Sequence, residues 1–237
     1  MVGAAGVAMA GYVGLPHIAA YVQPRLRFEP LPGVEGFRQL AGGALSGGNP
    51  ALLGIGAPPP HPPEGSVCAS LFAQPGPAGH VPVAYFSDAR CIYCRVLSPL
   101  LHELETTEPI SITWHELPLL GAASMRAARA SLAARRQSAY TIFHDRLMGT
   151  PFLPTEGYLR ELAKNAGIDV DQLLRDMVSD EVSDEIARTA MLARRFGFYG
   201  TPALVVGRTA TLGALDERTL RRLIEIERNE AEPGPCA

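Results

Sequence analysis

Apolar residues crowd together over Val81-Pro82-Val83-Ala84-Tyr85-Phe86 and then change rhythm. The first run is β-branched and aromatic, with its proline near the entry, and predicts a short strand. After it Val96, Leu97, Leu100, Leu101 and Leu104 recur at three- and four-residue spacing, the mark of one apolar helix face. Glu108-Pro109 closes that helix, and Ile110 to Leu117 alternates as a second strand. Strand, helix, strand over residues 83–117 makes a right-handed crossover unit. Ala122 to Tyr140, Ala139 to Met148, Tyr158 to Ala166, Val170 to Met177 and Asp180 to Phe196 then read as successive helices, with stops at Gly167 and Gly197. Ala203 to Val206, Gly207-Arg208 and Thr209 to Leu212 read as a hairpin. Asp216 opens a last helix whose apolar face is Leu220, Leu223, Ile224 and Ile226.

The chain before residue 81 has a different texture. Residues 1–23 carry no charged side chain except His17 and are rich in Ala, Gly and Val, the pattern of a secretory signal or a membrane anchor. Ala8-Met9-Ala10 fits a signal cleavage site, although no basic region precedes it; Arg25 and Arg27 follow instead. Export is the favoured reading. Residues 24–80 are broken by proline and glycine, and we expect a spacer or a surface-hugging arm. Within it, Pro58-Pro59-Pro60-His61-Pro62-Pro63 reads as extended linker, and Val67 to Phe72 as a short edge strand. Gly54-Ile55-Gly56 lacks the strand–turn–helix setting of a dinucleotide site. The expected body of the protein is residues 81–230, with a tail over 231–237.

At 237 residues the chain has room for one large domain or a domain plus an arm. A net charge of −3 and the lack of any basic, aromatic-rich tract exclude nucleic acid as an expected partner. Lys164 is the only lysine, so the positive charge rests on arginine. Arginines 126, 129, 135, 136, 194 and 195 are read as solvated helix faces rather than an anion site. His144-Asp145 has no nucleophile beside it in sequence, so no hydrolase is inferred.

The chemistry concentrates in Arg90-Cys91-Ile92-Tyr93-Cys94-Arg95. Two cysteines two residues apart sit where a strand turns into a helix. Unpaired N–H groups and the positive end of the helix dipole favour a thiolate there, and Arg90 and Arg95 add charge on either side. Cys91 is placed as the exposed, acidic nucleophile and Cys94 as the buried thiol that resolves it. The same spacing is half of a zinc site, but Cys68 and Cys236 are not spaced as the other half. No resident metal is expected, although the pair could instead hold a soft ion such as Cu(I). Cys68 and Cys236 either join, closing a long loop worth roughly 3–5 kcal/mol, or stay free or intermolecular thiols. Four cysteines suit an oxidising compartment.

Strand, Cys-x-x-Cys, helix, a helical insertion near residues 121–195, then Gly200-Thr201-Pro202 heading a strand, a hairpin and a helix: over roughly residues 81–228 this resembles the DsbA-like thiol–disulfide oxidoreductases. The fold class is therefore α/β, a thioredoxin fold with a helical insertion, preceded by the Pro/Gly-rich arm. The resemblance implies that Pro202 is a cis-proline facing the cysteines, that the Thr201 backbone pairs with extended substrate, and that Tyr93 borders the substrate. It implies a redox-active Cys91–Cys94 disulfide and no other cofactor, cysteine-containing exported proteins as substrates, and a membrane redox partner. The implied location is the periplasm, reached by a cleaved signal or kept by an anchor. Ile92-Tyr93 stands where DsbA itself has Pro-His, so Cys91 is expected to be less acidic and the disulfide less oxidising than in DsbA. Tyr93 and Thr201 are more similar to the bacterial disulfide isomerases, which leaves oxidase, reductase and isomerase open. A glutathione-dependent isomerase or transferase of the same fold is a further alternative, disfavoured by the second cysteine.

Overall fold

The computed structural model describes residues 26–47, 66–72, 76–230 and 235–236. The predicted export segment at 1–23 and the proline run at 58–63 lie outside the described residues. Eight strands are present among them: β1 (Phe28–Pro30), β2 (Arg38–Leu40), β3 (Ser46–Gly47), β4 (Val81–Ser87), β5 (Ile110–Glu116), β6 (Gly200–Thr201), β7 (Ala203–Val206) and β8 (Thr209–Leu212). The helices are α1 (Val67–Leu71), α2 (Ile92–Thr107), α3 (Ala122–Arg135), α4 (Tyr140–Gly149), α5 (Glu156–Ala166), α6 (Val170–Asp176), α7 (Asp180–Arg195) and α8 (Glu217–Asn229).

Six strands form one sheet in the order β1-β2-β8-β7-β4-β5. β4 and β5 run parallel, joined by α2 as a crossover, and β7 lies antiparallel to β4 in the centre. The two-residue alternation of a strand divides the core into two layers. Val83 and Tyr85 of β4, with Leu204 and Val206 of β7, meet Leu97, Leu101 and Leu104 of α2 and Leu220, Leu223 and Ile224 of α8. Ala84, Phe86, Ala203 and Val205 point the other way, onto Leu192, Ala193, Phe196 and Phe198 at the end of α7. The insertion has its own core. α3 buries Ala127, Ala130, Ala133 and Ala134 against Phe143 and Leu147 of α4, Leu159 of α5 and Leu173 of α6. Alanine on so many sides of α3 lets these helices approach closely.

Two expectations for the arm need correcting. It is not only a spacer: β2 pairs parallel with β8, and β1 pairs antiparallel with β2, so residues 28–40 extend the central sheet. Arg38 fixes this edge. Its guanidinium lies 2.6 Å from both Glu227 and Glu230, donates from Nε to the Thr209 hydroxyl at 2.7 Å, and sits 4.0 Å over the Phe28 ring. Val67–Leu71 is a helix, not an edge strand. Ser66 caps it by accepting from the Ala69 N–H, and Val67 and Leu71, four residues apart, face the core. The remaining element of the arm, β3, pairs antiparallel with β6, as Ser46 opposite Thr201 and Gly47 opposite Gly200. Among the described residues no helix is long and apolar enough to cross a membrane.

Candidate active site

The end of β4 and the start of α2 place the two central cysteines. Cys91 is the N-cap of α2, and its sulfur accepts the Cys94 backbone N–H at 3.2 Å, the hydrogen bond that a Ser or Asp oxygen makes at other helix starts. Asp88 holds the turn before it. One carboxylate oxygen accepts the Arg90 N–H at 2.8 Å, and the other accepts the Leu119 and Leu120 N–H groups at 2.7 and 3.0 Å. The Asp88 carbonyl accepts the Cys91 N–H at 2.9 Å. Asp88 thus clamps the cysteine turn to the loop after β5. Burial raises its pKa, against the pull of those hydrogen bonds.

From the opposite side comes Thr201-Pro202, joined by a cis peptide bond. The Cys91 thiol donates to the Thr201 carbonyl at 3.2 Å. Cys91 and Cys94 are both free thiols, and both are fully buried with Met148, bordered by half-buried Tyr93 and Leu120. Their acidities diverge. The Cys94 thiol first, with smaller effects from Ser46, Thr201 and the Cys94 N–H, lowers Cys91 from 9.0 to about 6 against the effect of burial. Burial first, and then the neighbouring Cys91, push Cys94 strongly up, so it stays protonated. The flanking arginines act differently from the sequence expectation. Arg90 donates to the Pro151 carbonyl at 3.4 Å and Arg95 to the Ala89 carbonyl at 3.3 Å, so both brace the loops. Hydrogen bonds are the main source of the acidity.

The expectation that Cys91 is exposed is also corrected: the side chain is fully buried, and β3 pairs with the short strand whose Thr201 carbonyl Cys91 contacts. Ile92 and Val96 of α2, Phe152 and Leu153 after α4, and Tyr199 before β6 are exposed apolar side chains. Cys68 and Cys236 are far away in sequence from this pair and are joined to each other across 168 residues.

A buried polar chain behind Cys94 was not visible in the sequence. The Tyr85 hydroxyl donates to the Cys94 carbonyl at 3.4 Å and meets Ser98 Oγ at 3.2 Å. Ser98 Oγ is 3.2 Å from His144 Nε2, and His144 Nδ1 is 3.3 Å from Glu116 Oε1, which also accepts the Tyr140 hydroxyl at 2.9 Å. Ser98, polar beside the apolar stripe of Leu97, Leu101 and Leu104, was the one local signal of it. The arginines read as solvated faces are partly engaged: Arg129 donates to the Met177 carbonyl at 2.8 Å, and Arg136 pairs with Asp176. Among the described residues no three His, Cys, Asp or Glu side chains gather as a metal site.

A dithiol at the head of a helix, facing a Thr-Pro turn across a mixed sheet, defines the thiol–disulfide oxidoreductases of the thioredoxin superfamily. Residues 82–225 match the model of the DSBA-like thioredoxin domain, and the chain belongs to that family. It is similar to the solved structure of a thioredoxin-like oxidoreductase from Silicibacter pomeroyi DSS-3, at 37% identity and TM-score 0.63, over 68% of this chain and 98% of that one. It is also similar to the thiol-disulfide exchange protein alpha-DsbA2 from Wolbachia pipientis, at 26% identity and TM-score 0.59, over 63% of this chain and 83% of that one. The catalytic domain of Proteus mirabilis ScsC shares the fold at 23% identity and TM-score 0.59, over 68% and 94% of the two chains. No curated protein gives a significant match.

Proposed function

We propose that this protein exchanges disulfides with cysteine-containing exported proteins through a mixed disulfide at Cys91, with the Cys91–Cys94 pair as its only redox group. The observation that carries the reading is the pairing of an acidic N-cap thiol with a buried, protonated second thiol 3 residues on. A thiol with a pKa near ambient pH combines a large thiolate fraction with good nucleophilicity. In the reducing direction, Cys91 thiolate attacks one sulfur of a substrate disulfide. A Cys91–substrate disulfide forms and the other substrate sulfur leaves as thiolate, which can take the proton of Cys94. Cys94 thiolate then attacks Cys91 Sγ, the substrate leaves reduced, and the Cys91–Cys94 disulfide remains. In the oxidising direction each step reverses, and a substrate dithiol leaves as the disulfide.

Thr201 supports docking, because its carbonyl lies beside Cys91 on a short strand whose edge pairs with β3 and could pair with an extended peptide in its place. The apolar rim of Ile92, Val96 and Tyr199 suits an unfolded or loosely folded substrate. Export agrees with the uncharged residues 1–23 and with a Cys68–Cys236 disulfide, since such bonds persist in oxidising compartments. A membrane redox partner would reset the pair. The test is a pair of variants assayed for insulin reduction and for covalent capture of exported proteins. Cys91→Ser should abolish turnover, and Cys94→Ala should accumulate substrates as mixed disulfides at Cys91. Absence of captured protein with Cys94→Ala, in a chain that folds normally, would sink the mechanism.

A further inference from the structure

A sulfur that attacks a disulfide must be reached from outside by a second sulfur, yet Cys91 is fully buried. The obstruction comes from the chain itself. β6 belongs to a separate two-stranded sheet, and its partner is β3, with Ser46 set opposite Thr201. The Thr201 carbonyl accepts the Cys91 thiol, so Ser46, opposite Thr201, lies one strand away from that sulfur and is among the groups that lower its pKa. Serine is cysteine with oxygen in place of sulfur: it can occupy the approach to Cys91 but cannot form a disulfide. Gly200 makes the fit possible, since a Cβ there would stand 2.5 Å from Leu45 Cδ1 and 2.9 Å from the Ser46 carbonyl oxygen.

The strand pairs with β6 through two residues only. Beside it the Ala44 carbonyl accepts the Ala214 N–H at 2.8 Å, and the exposed Gly42 and Gly43 lie so close to the Leu212 and Ala214 carbonyl oxygens that a side chain would collide with them. Its two ends are anchored, by β2 in the main sheet and by the Cys68–Cys236 disulfide. A strand paired over two residues and tethered through the chain on either side can lift and return without leaving the molecule.

We propose that Ala44–Gly47 is a built-in pseudosubstrate strap: it lies along Gly200–Thr201 as an extended cysteine peptide would, presents the Ser46 hydroxyl where a substrate sulfur would sit, and must lift before exchange begins. This rests on the reading of Cys91 as the exchanging thiol, and it deepens that reading. The favoured substrate segment is an extended peptide whose cysteine is followed by a small residue, as Ser46 is followed by Gly47.

The experiment uses the full chain in two formats. In the first, Ser46→Cys is combined with Cys94→Ser and treated with glutathione disulfide. The introduced thiol and the Cys91 thiol lose two electrons and two protons to glutathione disulfide, which becomes two reduced glutathiones, and one internal disulfide forms. Peptide mass mapping should find position 46 bonded to Cys91 in most molecules. Gly47→Cys in the same background should cross-link little, because adjacent residues of a strand face opposite sides. Equal cross-linking at the two positions, or none at position 46, overturns the strap.

In the second, iodoacetamide modification of Cys91 is timed at about pH 9, where thiolate formation no longer limits either protein. Ser46→Pro, which removes an N–H from the strand, should react about tenfold faster than the unaltered chain, as expected when reactivity follows the open fraction. Equal rates overturn the proposal. Titration of the unaltered chain with glutathione separates the two readings. A Cys91–Cys94 pair that does not cycle overturns the exchange function and the strap's role with it. A pair that cycles while both strap experiments fail overturns the strap alone.

Discussion

Cys91 draws its acidity from contacts that exist only when the chain is folded, and that gives the reduced protein a pH signature. The Cys94 thiol foremost, with Ser46, Thr201 and the Cys94 N–H, brings the Cys91 pKa from 9.0 to about 6. Below pH 6 the native and unfolded forms both carry the proton. Between the folded and the unfolded pKa the unfolded chain keeps the proton and the native chain does not, so stability rises with pH across that window. The contribution is complete above the unfolded pKa and is lost as pH falls through about 6. Urea unfolding of the reduced protein and of Cys91→Ser should therefore diverge from pH 5 to pH 8, the cysteine form gaining. A gap that stays constant would mean the thiolate is not favoured by the fold.

Between elements, the buried chain Tyr85–Ser98–His144–Glu116–Tyr140 links β4, α2, α4 and the end of β5 behind Cys94. Glu116 is 2% exposed and His144 1%, so each depends on the other for hydrogen bonding. Glu116→Ala would remove the acceptor that the Tyr140 hydroxyl and His144 Nδ1 share, leaving them only their 3.2 Å contact with each other, at about 1–3 kcal/mol for the hydrogen bonding lost. Glu116→Gln keeps an acceptor and should lose less. Denaturation midpoints of the three proteins check this, and equal midpoints would show that the network does not hold the insertion to the sheet. Apart from Ser98 beside the apolar stripe of α2, this chain was not legible in the sequence, because Glu116 and His144 meet across 28 residues and His144 and Ser98 across 46. What was legible is local. β4, α2, β5, the β7–β8 hairpin and the capped helices follow from periodicity and cap residues, and the N-cap position of Cys91 follows from the strand-to-helix change. The arm was misread for the same reason. β1 and β2 are three residues each, too short to show a period, and β2 finds its partner β8 on the far side of the domain in sequence. At α1 the Ser66 cap was available, but the apolar run Val67–Phe72 suited either period until the core chose the helical face.

For the molecule as a whole, the arm and the tail are joined outside the thioredoxin core. Cys68 precedes that core, Cys236 follows it, and their bond closes a loop with a sequence separation of 168. Around it the arm contributes Leu31, Val34, Phe37, Leu71 and Phe72 to the layer against α7, with Cys236 packed at its margin. Arg38 ties the same arm to Glu227 and Glu230 of the C-terminal region. The two ends of the described chain therefore stabilise each other through covalent, apolar and ionic contacts. Replacing Cys68 and Cys236 together by alanine should lower stability by roughly 3–5 kcal/mol in the chain-entropy model, because the unfolded chain regains the freedom of the long loop. The catalytic pair lies elsewhere, so thiol exchange at Cys91 should persist in this variant. If the disulfide also restrains the strap at Ser46, the double variant should additionally expose Cys91 more often. Iodoacetamide modification would then quicken at temperatures well below unfolding. Faster modification with lowered stability places the disulfide in control of access to the site, whereas lowered stability alone confines it to holding arm and tail together.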